Sequence, residues 1–194
     1  MTRTPRLPLL AVLASLLLLP TPSLARGELV EDATIVPEGK WAWAALLGLD
    51  VPTATGANVG PRVAGEGLYG FGEIAPKLRL DVGPRIGIAY NGGDASLWTV
   101  DAVMVARLEY PITPVLAAYG EAGMGLGFYH WSVNAYGFAT SDSGAMLDLL
   151  LAPGVIYALT PDVNVLGEVG FWINAKSGLG THIAIPTLGL QVKL

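Results

Sequence analysis

The sequence predicts an all-β chain, folded as an eight-stranded antiparallel up-and-down transmembrane β-barrel. Three observations carry that prediction. The chain is 52% hydrophobic and only 14% charged, yet beyond residue 25 no apolar stretch is long enough and free enough of Pro and Gly to cross a membrane as a helix. Segment after segment alternates apolar and polar residues, a two-residue period that only a strand turns into two distinct faces. The connections between segments alternate between tight and longer, which is the rhythm of a barrel with short turns at one rim and loops at the other.

The first 25 residues stand apart from the fold. Arg3 and Arg6 give a basic start, Leu7 to Leu19 is apolar, and Ser23 and Ala25 place small residues around Leu24. These are the parts of a cleaved secretory signal peptide. Residues 26–39, with Glu28, Glu31, Asp32 and Glu38, read as a short, solvated, acidic periplasmic arm. Residues 40–194 then form the barrel as a single domain.

The first strand, Lys40 to Asp50, aligns Trp41, Trp43, Ala45, Leu47 and Leu49 on one face. The second, Gly67 to Ala75, is Gly-rich, with Glu73 on its polar parity. The third is the clearest: from Leu78 to Tyr90 even positions are Leu, Leu, Val, Pro, Ile, Ile and Tyr, while odd ones include Arg79, Asp81 and Arg85. The fourth, Leu97 to Tyr110, sets Trp98, Met104 and Leu108 against Asp101, Arg107 and Glu109. The fifth, Val115 to Trp131, sets Met124, Leu126 and Phe128 against Tyr119, Glu121 and three glycines. The sixth, Ala145 to Leu159, turns Leu147, Leu149 and Leu151 away from Asp148. The seventh, Val163 to Asn174, and the last, Ile183 to Leu194, repeat the pattern around Glu168 and Lys193.

Between these strands, Pro76, Pro111 to Pro114 and Thr160 to Asp162 mark tight turns. Val51 to Glu66 and Ser132 to Gly144 read as long outer loops rich in turn residues, and surface interaction is expected there. Outward-parity aromatics gather at both strand ends, with Trp41, Trp43, Tyr110 and Tyr157 at one and Tyr90, Trp98, Phe128 and Phe171 at the other. That is the double girdle of a membrane barrel.

The inward parity collects Glu73, Lys77, Arg79, Asp81, Arg85, Asp101, Arg107, Glu109, Glu121, Asp148, Glu168 and Lys193. Eight strands enclose a bore just wide enough for side chains to fill it, so these charges are expected to form a lumen network, with Glu73 opposite Arg79. A narrow cation-favouring pore is the alternative, since acids outnumber bases.

Sixteen acidic side chains against 11 basic ones leave no basic patch for nucleic acid. No cysteine is available for disulfides or thiolate metal sites. Neither His130 nor His182 belongs to a metal-ligand spacing, and no cofactor motif occurs. No metal or cofactor is expected.

The signal peptide, the eight amphipathic strands, the loop rhythm and the closing Leu188-Gly-Leu-Gln-Val-Lys-Leu194 strand resemble the small outer-membrane β-barrels of OmpA and OmpX type. The resemblance spans Lys40 to Leu194 and implies a monomer in the cell outer membrane of a Gram-negative bacterium, in contact with its lipid and lipopolysaccharide. It also implies recognition by the barrel-assembly machinery through the last strand, which in that family usually ends in Phe and here ends in Leu194. Family members are anchors, adhesins or defence proteins, and some are enzymes. Lipid A deacylases of the outer membrane carry a His-x-Ser pair and an acid, to which His130, Ser132 and Asp142 bear a weak similarity, so a lipid A-modifying hydrolase is a further alternative to the non-enzymatic reading. A soluble, lipocalin-like periplasmic ligand binder is the last alternative, and it requires apolar residues inside and charge outside.

Overall fold

The computed structural model describes residues 34–53, 57–135, 138–175 and 181–194. The expected signal peptide and residues 26–33 of the arm lie outside the described residues. Eight strands follow in order: β1 (Trp41–Pro52), β2 (Gly60–Ala75), β3 (Leu78–Asn91), β4 (Ala95–Thr113), β5 (Leu116–Ala135), β6 (Phe138–Ala158), β7 (Val163–Asn174) and β8 (Thr181–Lys193). Each pairs antiparallel with its sequence neighbour, and β1 pairs with β8 to close the ring. Closure gives the backbone groups of the wall partners within the sheet, which a membrane span demands.

The pleat sorts the side chains as the alternation predicts. On β3, Asp81 and Arg85 are 0% and 1% exposed, whereas Ile86 between Arg85 and Gly87 is 54% exposed. Leu126, Phe128, Met124 and Leu188 stand fully on the outside. Charge is inside and grease outside, the reverse of what a lipocalin-like binder needs. Aromatics ring both ends of the outer face: Trp41 stacks on Trp43 and meets Tyr69 edge-on near the chain ends, and Tyr90 lies against Trp98 near the other rim, with centroids 4.6 Å apart.

Both long loops expected from composition are in fact mostly strand. β1 runs to Pro52 and β2 begins at Gly60, so most of Val51 to Glu66 is paired wall, and Arg62 and Glu66 point into the bore. Likewise β5 continues to Ala135 and β6 starts at Phe138, with Ser132↔Ser141 and Asn134↔Ala139 in register. The physical reasons differ. In β2, Pro61 and the glycines around it carry turn chemistry although Arg62 and Glu66 are buried, whereas at the tip of the β5–β6 hairpin, where residues 139–143 are exposed, period-two contrast fades and polar residues mimic a loop. The wall is therefore uneven. β6 has 21 residues and β7 has 12, a difference of roughly 30 Å along the strand at ~3.3 Å per residue.

The segment before β1 is not a solvated arm where it is described. Thr34 and Val36 are fully buried and Ile35 nearly so. Glu38 forms a parallel bridge to Gly70 of β2, and Asn164 at the start of β7 donates its side-chain amide to the Thr34 carbonyl at 2.8 Å.

Candidate functional site in the barrel lumen

The strands deliver buried charges from five directions to mid-height. Arg85 of β3 donates to Glu121 of β5 at 2.9 Å and to both carboxylate oxygens of Glu168 of β7, one at 3.1 Å. Arg107 of β4 reaches Glu121 through Nε at 3.0 Å and Nη2 at 2.7 Å, and Glu66 of β2 at 2.5 Å. Tyr119 donates to Glu168 at 2.8 Å while its ring lies 4.4 Å below the Arg107 guanidinium carbon. The planar guanidinium suits this work, because its fixed fork can bridge carboxylates on different strands.

A second cluster lies toward the rim away from the chain ends. Arg62 of β2 binds Asp101 of β4 and contacts Asp50 of β1 at 3.3 Å. Its guanidinium rests 4.1 Å over the ring of buried Trp172. His182 of β8 places Nδ1 2.8 Å from the other Asp50 oxygen. Asp148 accepts from Asn174 at 2.6 Å and leans over Gly127, where an added Cβ would lie 2.0 Å from its Oδ2.

Toward the other rim the pattern changes. Asp81 and Glu109 are fully buried, and none of their four carboxylate oxygens has a hydrogen-bond donor among the described residues. The nearest ion-pair contact is Arg107 Nη1 to Glu109 at 4.0 Å. Among the described residues, eight carboxylates and three arginines are buried in the bore.

Of the expected lumen residues, Asp81, Arg85, Asp101, Arg107, Glu109, Glu121, Asp148 and Glu168 are buried inside. Glu73, Lys77, Arg79 and Lys193 instead lie at the rim that carries the chain ends. Glu73 and Arg79 are register partners as expected, but Glu73 is exposed and its Oε1 accepts the Lys77 backbone N–H at 3.1 Å. The tight turn brings that amide closer than the Arg79 side chain. Four ionisable lumen residues escaped the sequence reading: Asp50, Arg62, Glu66 and His182. Asp50 lies on the inward parity of β1, His182 faces inward only because the register slips between Ala184 and Thr187, and Arg62 and Glu66 became visible only once β2 was extended into the supposed loop.

The His130, Ser132 and Asp142 constellation does not assemble. His130 and Ser132 share the outer face of β5, but His130 Nδ1 is 2.7 Å from Ser143 Oγ, and Ser132 Oγ bonds Ser96 Oγ at 2.7 Å. Asp142 pairs in register with Trp131 and accepts from the inward Tyr129 at 2.7 Å, which puts it on the opposite face. Trp131 likewise packs inward against Leu97, Tyr129 and Met146 and is not a girdle residue. Among the described residues no group of three or more His, Asp or Glu could hold a metal ion.

Neither a protein-family model nor a curated protein sequence matches the chain. Solved structures do. The attachment invasion locus protein Ail of Yersinia pestis superposes with a TM-score of 0.57 at 14% identity, over 81% of this chain and 100% of that one. Neisserial surface protein A gives 0.55 at 17% identity, over 81% and 98%. The outer-membrane enzyme PagL gives 0.50 at 14% identity, over 79% and 99%. Identities this low speak to architecture alone, and with the ring of eight antiparallel strands they establish that the chain has the fold of the small outer-membrane β-barrels of OmpA and OmpX type.

Proposed function

We propose that the chain is exported behind a cleaved signal peptide into a Gram-negative outer membrane, with the chain ends toward the periplasm, and serves as a non-enzymatic surface-interaction barrel with a filled lumen. Lipid and lipopolysaccharide cover its outer wall, the last strand is its handle for the assembly machinery, and it works as a monomer. The observation that carries the surface role is the long β5–β6 hairpin. β5 has 20 residues and β6 has 21 against 12 in β7, and residues 139–143 near its tip are exposed. A long exposed hairpin above the membrane presents backbone and side chains to a partner, and it suits an extended polypeptide. A polyanion, of the kind bound to Ail as the heparin analogue sucrose octasulfate, fits less well. Asp94 and Asp142 stand exposed at that rim.

Shortening the β5–β6 hairpin by residues 134–139 tests the reading. Bacteria carrying the intact barrel should adhere to immobilised serum or extracellular-matrix proteins, and the shortened barrel should lose about tenfold or more of that adhesion. Equal adhesion by a shortened barrel with normal heat-modifiable mobility would refute it. The filled lumen predicts no discrete current steps in planar bilayers, and regular cation-selective steps would favour the pore instead.

One contact favours a second reading. His130 and Ser143 form a serine–histidine pair on the outer wall, in register with Trp98 of the girdle. A hydroxyl beside an imidazole at lipid-headgroup level can attack an acyl ester, though among the described residues no acid is hydrogen-bonded to the ring to orient it. Ser143→Ala should leave the acylation pattern of lipid A unchanged by mass spectrometry. A shift in that pattern would move the chain into the enzyme class.

A further inference from the structure

Inward side chains one or two residues from a barrel rim are normally wet. Here they are dry at the rim of the chain ends. Asn164 is the second residue of β7, Gln191 stands three before the C-terminal Leu194, and Glu109 precedes the β4–β5 turn, yet all three are 0% exposed. The cover is the chain itself. Thr34 to Lys40 crosses from Asn164 of β7, which donates to the Thr34 carbonyl, to Gly70 of β2. There Gly39 N–H donates to the Gly70 carbonyl at 2.9 Å, and Gly70 N–H donates to the Lys40 carbonyl at 3.0 Å. β2 and β7 stand well apart around the ring of eight strands, so the segment spans the mouth.

Gly70 is cut to fit that crossing. A Cβ there would come within 2.5 Å of the Pro37 carbonyl oxygen and 3.0 Å of that of Val36. Both are backbone atoms that no rotamer change can move aside. Gly70 is also the register partner of Asp81, one of the two lumen carboxylates without a donor. The segment thus lies over the part of the bore whose carboxylates lack donors among the described residues and would gain most from water.

We propose that Thr34–Lys40 is a built-in cork that seals the lumen at the rim of the chain ends, making the bore a chamber closed on that side independently of the charge network above it. Among the described residues the cork hydrogen-bonds to the wall at its two ends, through Asn164 and Gly70, so it can be evicted without dismantling the wall. This inference stands whether or not the β5–β6 hairpin binds a partner.

The native chain has no cysteine, so single thiols report cleanly. Gln191→Cys places a thiol under the cork, and Ser141→Cys places a control on the exposed hairpin. In detergent-purified, heat-modifiable barrel, a hydrophilic maleimide should label the control quickly and Cys at 191 at least about tenfold more slowly. Adding Gly70→Ala should evict the cork and bring labelling at 191 close to the control rate, with the control unchanged. If Gly70→Ala does not fold, Val36→Glu serves instead, since a charge at a fully buried cork position pushes it toward water. Labelling at 191 as fast as at 141 with the cork in place would overturn the proposal. So would continued protection at 191 in folded Gly70→Ala and Val36→Glu barrels.

Discussion

At mid-height in the lumen, Glu66, Glu121 and Glu168 share the guanidinium groups of Arg85 and Arg107. A short way toward the chain ends, Asp81 and Glu109 are just as buried, and among the described residues no Arg, Lys or amide donates to them. The residue types, burial and parity are the same, but the energetic signs differ. A carboxylate wrapped by two arginines recovers much of its desolvation cost, whereas two carboxylates set side by side repel each other and keep their own. Alternation puts a charge inside; only the strand-to-strand register decides whether it meets a partner there.

Removing an arginine from the paired layer should therefore have the largest effect. Arg107→Met leaves Glu66 and Glu121 buried beside a thioether, and breaking such a network costs about 3–5 kcal/mol. Urea unfolding in lipid vesicles, followed by gel mobility, should show the midpoint falling sharply. An unchanged midpoint would mean that water already fills the layer and the network contributes little.

The unpaired layer should respond in the opposite direction. Glu109→Gln keeps the shape, removes one carboxyl of the facing pair and supplies an amide that can donate to Asp81. We expect stabilisation by about 1 kcal/mol, and a similar gain for Asp81→Asn. The double variant should gain less than the two single gains combined, because each relieves the same repulsion. Destabilisation by either single variant would show that Asp81 and Glu109 are held by a partner other than each other.

The sequence made some of this plain and hid the rest for identifiable reasons. β3 and β4 could be read almost residue by residue, because each runs through an apolar surrounding on one face and the lumen on the other. That double boundary imprints the alternation of Leu80, Val82 and Ile86 against Asp81 and Arg85. Arg62 and Glu66 were lost because Pro61 and the surrounding glycines look like a loop, although Pro61 merely takes an outward place opposite Leu49. The cork was illegible for another reason. Thr34, Ile35 and Val36 have no period to follow, and what buries them is the far wall of a ring that exists only after β1 meets β8. The catalytic-looking His-x-Ser pair failed on register: cross-strand pairing gave His130 to Ser143, a neighbour that spacing along one strand cannot reveal.

The smallest effect separates lumen from rim most cleanly. Glu73 and Arg79 are opposite each other in register, as Arg107 and Glu121 are on β4 and β5. By sequence position the two pairs are equivalent. Glu73, however, is exposed and spends an oxygen on the backbone of Lys77, whose φ of 63° marks the left-handed turn position. A double-mutant cycle with Glu73→Gln and Arg79→Met should give a coupling energy of no more than about 0.3 kcal/mol, against one several-fold larger for Glu121→Gln with Arg107→Met. Lys77→Gly should stabilise the turn by up to about 1 kcal/mol, since glycine takes that φ without steric cost. A large Glu73–Arg79 coupling would mean that the rim pair closes in the membrane-embedded protein, and that burial is not what sets these two pairs apart.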